Sequence, residues 1–414
     1  MTITRRAFLK SGALAVVGTA AIPAFLRRAA LGVEAPGPRT RRLVVIFQRG
    51  AADGLNIVIP HAEPSYYALR PSIAVPRGME LNVDGFFGLH PTMSALQPLF
   101  RERRLAIIHA AGSPDHTRSH FDAQDYMESG TPGIKSTEDG WLNRSLRHLP
   151  SADRAPAPFR AVALAPTMPR ILSGPEPAMA LNNINDFGLG GRGPAAAPLS
   201  NTFEAMYAES VDAVLHGTSQ ETFEAVKMLK SADPQTYTPA AAADYPHGRF
   251  GGSLRQLAQL IKANLGVQIA FADISGWDHH VNEGSTQGQL ANVLREFSQS
   301  LAAFWIDLGS LGEDTVIVTM SEFGRTAREN GNRGTDHGHA NVMFVLGGPV
   351  RGGKVYGQWP GLEPEQLNEG RDLALTTDFR RVLGELVCRH LGSQDLAGVF
   401  PGFESKPGFL NLLG

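Results

Sequence analysis

The chain has 414 residues, with 38 Lys or Arg against 40 Asp or Glu, and its formal net charge of −2 without basic runs argues against nucleic-acid binding. A single cysteine, Cys388, excludes both an internal disulfide and a zinc-thiolate site, so any metal must be held by histidines and carboxylates. The length is ample for one large core carrying an insertion.

Residues 1–30 read as a twin-arginine signal peptide. Arg5 and Arg6 precede Phe8-Leu9-Lys10, a mildly apolar run over 13–25 follows, and small residues close it. That run is too short and too weakly apolar to span a bilayer, which takes about 20 apolar residues. The expected partner at this end is the twin-arginine translocase, and the expected location is the periplasm or the exterior. No other segment is apolar enough for a membrane span.

After the signal, residues 40–414 are expected to form a single α/β domain. The run 42–48 (RLVVIFQ) is short, continuous and apolar, as a buried parallel strand is. A helix over 91–101, a second strand over 105–109 and a helix from near Ser119 to before Gly130 follow, and a further strand is expected over 160–166. The stretch 173–247 is rich in Gly, Pro and Ala around one helical segment, 202–230, and reads as an insertion or cap. A helix at 253–264, a strand at 267–272 and an amphipathic helix carrying Leu290, Leu294, Phe297, Leu301 and Leu308 restore the alternation. Strands at 315–320 and 342–346 and a helix at 378–391 complete it. The fold class is a three-layer sandwich with a mostly parallel central sheet.

Polar clusters adjoin nearly every strand. Asp53 comes after the first, Asp115 to Asp122 after the second, Asp278 and His280 after the strand at 267–272, and Glu322 after that at 315–320; Asp336, His337 and His339 precede the last. Ligands in open parallel sheets bind outside the carboxyl ends of the strands, so these segments can share one site. Asp336-His337-Gly338-His339 packs two imidazoles and a carboxylate into four residues, a donor set suited to Zn or Mn. Asp53 before Gly54 reads equally as a turn. Ser119 is either a helix N-cap or a nucleophile, and Arg118 or Arg325 is a candidate to hold an anion through paired donors.

The strings Arg49 to Asn56, Arg118 to Asp125, Ser275 to Asp278, Ser321 to Thr326 and Gly334 to Asn341 resemble those of the bacterial domain of unknown function 1501 family, whose members are typically exported by the twin-arginine route. That family is similar to the alkaline phosphatase and sulfatase superfamily. The resemblance implies an alkaline phosphatase-like sheet, a divalent metal (Zn, Mn or Ca) and a nucleophile at a helix start, Ser119 or Thr117. It implies metal ligands among Asp53, Asp278, His280, Glu322, Asp336, His337 and His339. The implied activity is hydrolysis of phosphate or sulfate esters, on a small anionic ester or a glycan. Phe323 stands where the superfamily usually has a ligating histidine after an aspartate, so the alternative is a weakly active or inactive metal-containing binding protein.

Overall fold

The apolar run at Arg42–Arg49 forms strand β1 because both of its faces are buried: Val44 and Ile46 enter one core, and Leu43, Val45 and Phe47 the other. In the computed structural model, which describes residues 9–10, 13–14, 40–150, 159–184, 237–404 and 408–414, β1 lies inside a nine-stranded sheet. The other strands are β2 (Leu105–Gly112), β3 (Ala161–Leu164), β4 (Met179–Leu181), β5 (Ile269–Ser275), β6 (Thr315–Ser321), β7 (Asn341–Gly347), β8 (Val355–Tyr356) and β9 (Thr377–Asp378). Their order is β8-β2-β7-β6-β1-β5-β3-β4, with β9 also paired to β2.

All pairings are parallel except those of β7, which runs antiparallel to both β6 and β2. This reversal decides the geometry of the site. A segment that precedes an antiparallel strand lies at the same sheet edge as segments that follow parallel ones, so residues 336–340 come out beside the ends of β1, β5 and β6.

Helices cover both faces. On one, α3 (Arg249–Lys262) and α4 (Gln289–Leu308) press Leu254, Leu257, Leu294, Phe297 and Leu301 against the sheet. On the other, α2 (Trp141–Arg147) and α5 (Phe379–Glu385) bring Trp141, Leu142, Phe379 and Val382. Each such fully buried side chain contributes about 1.5–3 kcal/mol of transfer free energy. The result is the expected three-layer, mostly parallel architecture.

Helix α1 (His120–Ser129) begins after Ser119, whose hydroxyl accepts from the Asp122 N–H, and ends at Gly130, whose φ of 70° is the left-handed conformation that glycine tolerates. The expected helix at 91–101 is a 3-10 turn, Pro91–Leu96, running into a short α-helix, Gln97–Arg101. The late helix continues from α5 as a π-turn over Leu386–His390.

Contacts divide the chain into Met1–Thr40 and Arg41–Gly414. The expected signal peptide lies outside the described residues apart from a two-residue antiparallel pairing of Leu9–Lys10 with Ala13–Leu14. Most of the expected cap, including the helical stretch 202–230, also lies outside them. One of its described parts, Met179–Leu181, joins the sheet edge as β4. Among the described residues no helix is long and apolar enough to cross a membrane.

Candidate metal centre

Three elements bring ligand atoms to one point at the carboxyl edge. His120 opens α1, Asp278 follows β5, and His337 precedes the reversed β7; one donor atom from each lies within 4.8 Å of the others. His120 Nε2 is 3.0 Å from His337 Nε2, and the Asp278 carboxylate is 3.6 Å from the former and 3.4 Å from the latter. His280 flanks this trio, its Nε2 being 3.0 Å from His337 Nε2 and 3.1 Å from Asp278 Oδ1.

The outer nitrogen of every one of these rings faces an acceptor. His120 Nδ1 donates to Glu322 Oε1 (2.8 Å), His280 Nδ1 to Asp336 Oδ1 (3.1 Å) and His337 Nδ1 to the Arg118 carbonyl (2.9 Å). Ligating histidines are held in this way, because the outer hydrogen bond fixes the tautomer and frees the other nitrogen's lone pair. Here Nε2 of His120 and Nε2 of His337 face each other across 3.0 Å, a contact that is repulsive between two free lone pairs and is relieved by a proton or a metal ion between them. Two nitrogens at tetrahedral angles about 2.0–2.1 Å from a zinc ion stand about 3.3 Å apart, so the donors fit a metal with little adjustment.

Charge is arranged to the same end. The hydrogen bond to Glu322, then that carboxylate's charge, holds the His120 imidazole above its ordinary pKa, whereas burial lowers that of His337. Partial burial raises the Asp278 carboxyl, but the hydrogen bond and charge of Arg325 outweigh it and keep the group ionised. The Asp278 side chain is 47% exposed and the His120 and His337 side chains about a quarter, so solvent and small ligands reach the cluster.

The other expected site residues have different placements. Glu322 is buried, and its Oε1 accepts from Gly50 N (2.8 Å), Gln124 Nε2 (2.9 Å) and His120 Nδ1. It braces the His120 ring. Asp336 does the same for His280. His339 is buried, and its ring stacks on His116 at 4.8 Å, away from the cluster. Gly338 between the two histidines is required by close approach, since a Cβ there would run into the Arg325 carbonyl. Asp53 is fully buried and paired with Arg70 through both oxygens (2.5 and 2.9 Å), which leaves it no free edge for a metal.

Both expected anion-binding arginines have carboxylate partners. Arg118 forms ion pairs with Glu369 (2.7 Å) and Asp372 (2.6 Å) and serves the site through its carbonyl. Arg325 is buried and donates to the carbonyls of Gly50, Ala51 and Thr335 and to Asp278 Oδ1 (2.5 Å). Ser119 is exposed, and its Oγ is 3.5 Å from the Asp122 N–H it caps.

His120, a member of the candidate cluster, was not among the expected site residues. Its signal was its place directly after Ser119 at a helix start, where attention to the hydroxyl hid the ring. Phe323, in the position of a missing ligand, packs 5.0 Å from both the His120 and His337 rings and forms an apolar wall.

Gln124 connects this centre to β1. Its Oε1 accepts from Arg49 Nη1 (2.9 Å), which orients the amide so that Nε2 donates to Glu322. Gln124→Leu is therefore expected to weaken metal binding about 10–100-fold, the effect typical of losing a supporting residue. Calorimetric titration with Zn(II) checks this, and unchanged affinity in a folded variant would show that Glu322 orients His120 unaided.

The fold and cluster define a three-layer α/β protein with a His-His-Asp centre at the carboxyl edge of a mostly parallel sheet. The chain belongs to the family described as "Protein of unknown function (DUF1501)", which it matches over residues 40–398. No curated protein matches it. Solved structures similar to it include the C-terminal periplasmic domain of EcEptC from Escherichia coli in complex with Zn, at 10% identity and TM-score 0.36, covering 75% of this chain and 73% of that one. PsFucS1 sulfatase from Pseudoalteromonas sp. is 13% identical with TM-score 0.40, covering 93% and 74%. A protein in the alkaline phosphatase superfamily from Vibrio parahaemolyticus is 9% identical with TM-score 0.32, covering 76% and 62%. At these identities and TM-scores nothing of those proteins' activities carries over to this chain.

Proposed function

We propose that this protein is an exported metal-dependent hydrolase of phosphate or sulfate esters, with a divalent ion held by His120, Asp278 and His337 and flanked by His280. The observation that carries this reading is the convergence of these donors with every outer ring nitrogen already anchored. Zn, Mn and Ca remain the candidate ions, and the imidazole content favours the first. The twin arginines at Arg5 and Arg6 carry the export part of the proposal.

A bound divalent ion supplies Lewis acidity, neutralising charge on the ester's oxygens and easing deprotonation of a nearby hydroxyl or water. The chain's own residues prepare for that. Glu322, Asp336 and the Arg118 carbonyl fix the three rings. Arg325 pins Asp278, and Phe323 shields one side of the cluster from water. Ser119, adjacent in sequence to His120 at the start of α1, is the proposed nucleophile, with Thr117 as the nearby alternative.

A second reading, a metal-containing binding protein with little or no turnover, is favoured by the engagement of Arg325 with Asp278 and backbone carbonyls and of Arg118 Nη2 with Glu369 and Asp372, partners that compete with an ester's anionic oxygens. Elemental analysis of the purified protein, followed by a phosphatase, sulfatase and phosphodiesterase screen, tests both. We expect stoichiometric metal and turnover in wild type, neither in Asp278→Ala, and metal without turnover in Ser119→Ala. Metal without turnover in wild type would select the binding protein, and absence of metal would remove both readings.

A further inference from the structure

A cleft of about 440 Å³ opens beside the centre, bounded by residues 65–69, 326–336 and 362–371. Two of its wall residues touch the cluster directly. Asp336 accepts from His280 Nδ1, and Arg371 Nη2 donates to the His337 carbonyl at 2.9 Å. An ester whose anionic head sits at His120, Asp278 and His337 must direct its organic part somewhere, and this cleft adjoins the flank formed by His280. Its volume lies within the roughly 300–1,000 Å³ usual for small-ligand sites.

The lining narrows the chemistry of that organic part. Leu69, Leu362 and Leu367 give it an apolar wall, and no aromatic ring lines it among the described residues. The guanidinium of Arg328 is exposed and has no hydrogen-bond or ion-pair partner among the described residues, so it presents a full set of donors. Glu363 gives one oxygen to Ser65 Oγ (2.6 Å) and keeps the other as a free acceptor. Glu329, by contrast, is engaged by Ser72 and by the Ile73 N–H. A second anionic group would meet Glu329 and Glu363, a cationic group would meet Arg328 and Arg371, and a purely apolar group would bury their charges without partners. Hydroxyl groups both donate and accept, and a ring of them with a C–H face satisfies the arginine, the carboxylate and the leucine wall together.

We infer that this cleft is a carbohydrate subsite, and that the substrates are phosphate or sulfate esters of sugars, bound with the sugar between Arg328, Glu363 and the wall of Leu362 and Leu367. This inference rests on the hydrolase reading for the ester but not for the sugar. The test is therefore in two arms. In the first, chelator-stripped full-length protein is mixed with methyl glycosides of glucose, galactose, mannose and fucose, and saturation-transfer NMR is recorded. Transfer to the ring protons of at least one glycoside is expected in wild type, with loss in Leu367→Trp, which fills the cleft, and weakening in the exposed variant Arg328→Ala. In the second, metal-loaded enzyme is assayed on sugar 6-phosphates and 6-sulfates beside p-nitrophenyl phosphate and sulfate. Arg328→Ala should raise KM for the sugar esters about tenfold, the effect of one charged hydrogen bond, while leaving the p-nitrophenyl esters within about twofold. Absence of transfer from all four glycosides, or transfer indifferent to both variants, overturns the subsite even if p-nitrophenyl esters are cleaved. Transfer without cleavage of any ester overturns the hydrolase and leaves the subsite standing.

Discussion

His337→Ala is expected to abolish stoichiometric binding of divalent metal. The ring is the centre's hub: its Nε2 lies 3.0 Å from both His120 Nε2 and His280 Nε2 and 3.4 Å from Asp278 Oδ1. Removing it deletes one ligand and the element that relates two others, so the loss should exceed the about 10–100-fold that removing a supporting residue costs. The fold should survive, because a neutral, partly exposed imidazole leaves no buried charge behind, and the freed Arg118 carbonyl is within reach of water. Elemental analysis gives the stoichiometry and titration with Zn(II) the affinity. A folded variant that still binds one equivalent as tightly as wild type would move the metal elsewhere. Asp278→Ala is the less selective experiment, since it also strips the buried Arg325 of its only carboxylate partner among the described residues.

Much of this fold was legible in the sequence, because burial on both faces of a strand leaves an unbroken apolar run and burial on one face of a helix leaves a period of 3.6. The direction of β7 was not. An apolar run such as Val342 to Leu346 reads the same in either sense, and the clue lay outside it: residues 322–340 hold no helical pattern, whereas a parallel connection usually needs a crossover helix. At the site, Asp278, His280 and His337 are brought together from positions that the sequence had singled out. Which polar residues act as ligands and which as supports depends on the side-chain directions around a sheet edge. In the proposed centre Glu322 and Asp336 are supports, because a carboxylate close to a ring's Nδ1 fixes the tautomer of that ring. Asp53 was illegible for a different reason. Its partner, Arg70, is separated from it by two short helices and a two-residue strand, and nothing in either residue's neighbours announces that the two pair.

That pair carries the second large expectation, a loss of about 3–5 kcal/mol in Arg70→Met, the usual consequence of leaving a buried charge without its partner. Arg70 is fully buried and donates from Nε to the Ala327 carbonyl (2.9 Å), from Nη1 to Asp53 (2.5 Å), and from Nη2 to Asp53 and the Thr326 carbonyl (2.9 and 2.8 Å). A second buried acid, Glu283, hydrogen-bonds Asp53 and accepts from Asn56 (3.2 Å) and Thr335 (2.9 Å). Burial raises both carboxyls, but Arg70 overrides it for Asp53, which titrates below its ordinary 3.8. Glu283, driven by burial and then by the Asp53 charge, titrates well above its ordinary 4.5. The two therefore tilt stability in opposite directions. The contribution of Asp53 is present above about pH 3.8 and is lost as pH falls through its lowered folded value. That of Glu283 is complete below about pH 4.5 and is lost as pH rises toward its raised folded value, because the folded chain then holds a proton that the unfolded chain releases. Glu283→Gln keeps the shape and hydrogen-bonding reach without that proton, and should flatten the decline in urea midpoint between pH 5 and neutrality. An unchanged slope in Glu283→Gln would mean that Glu283 is ionised in the folded protein, and that Arg70 neutralises both carboxylates.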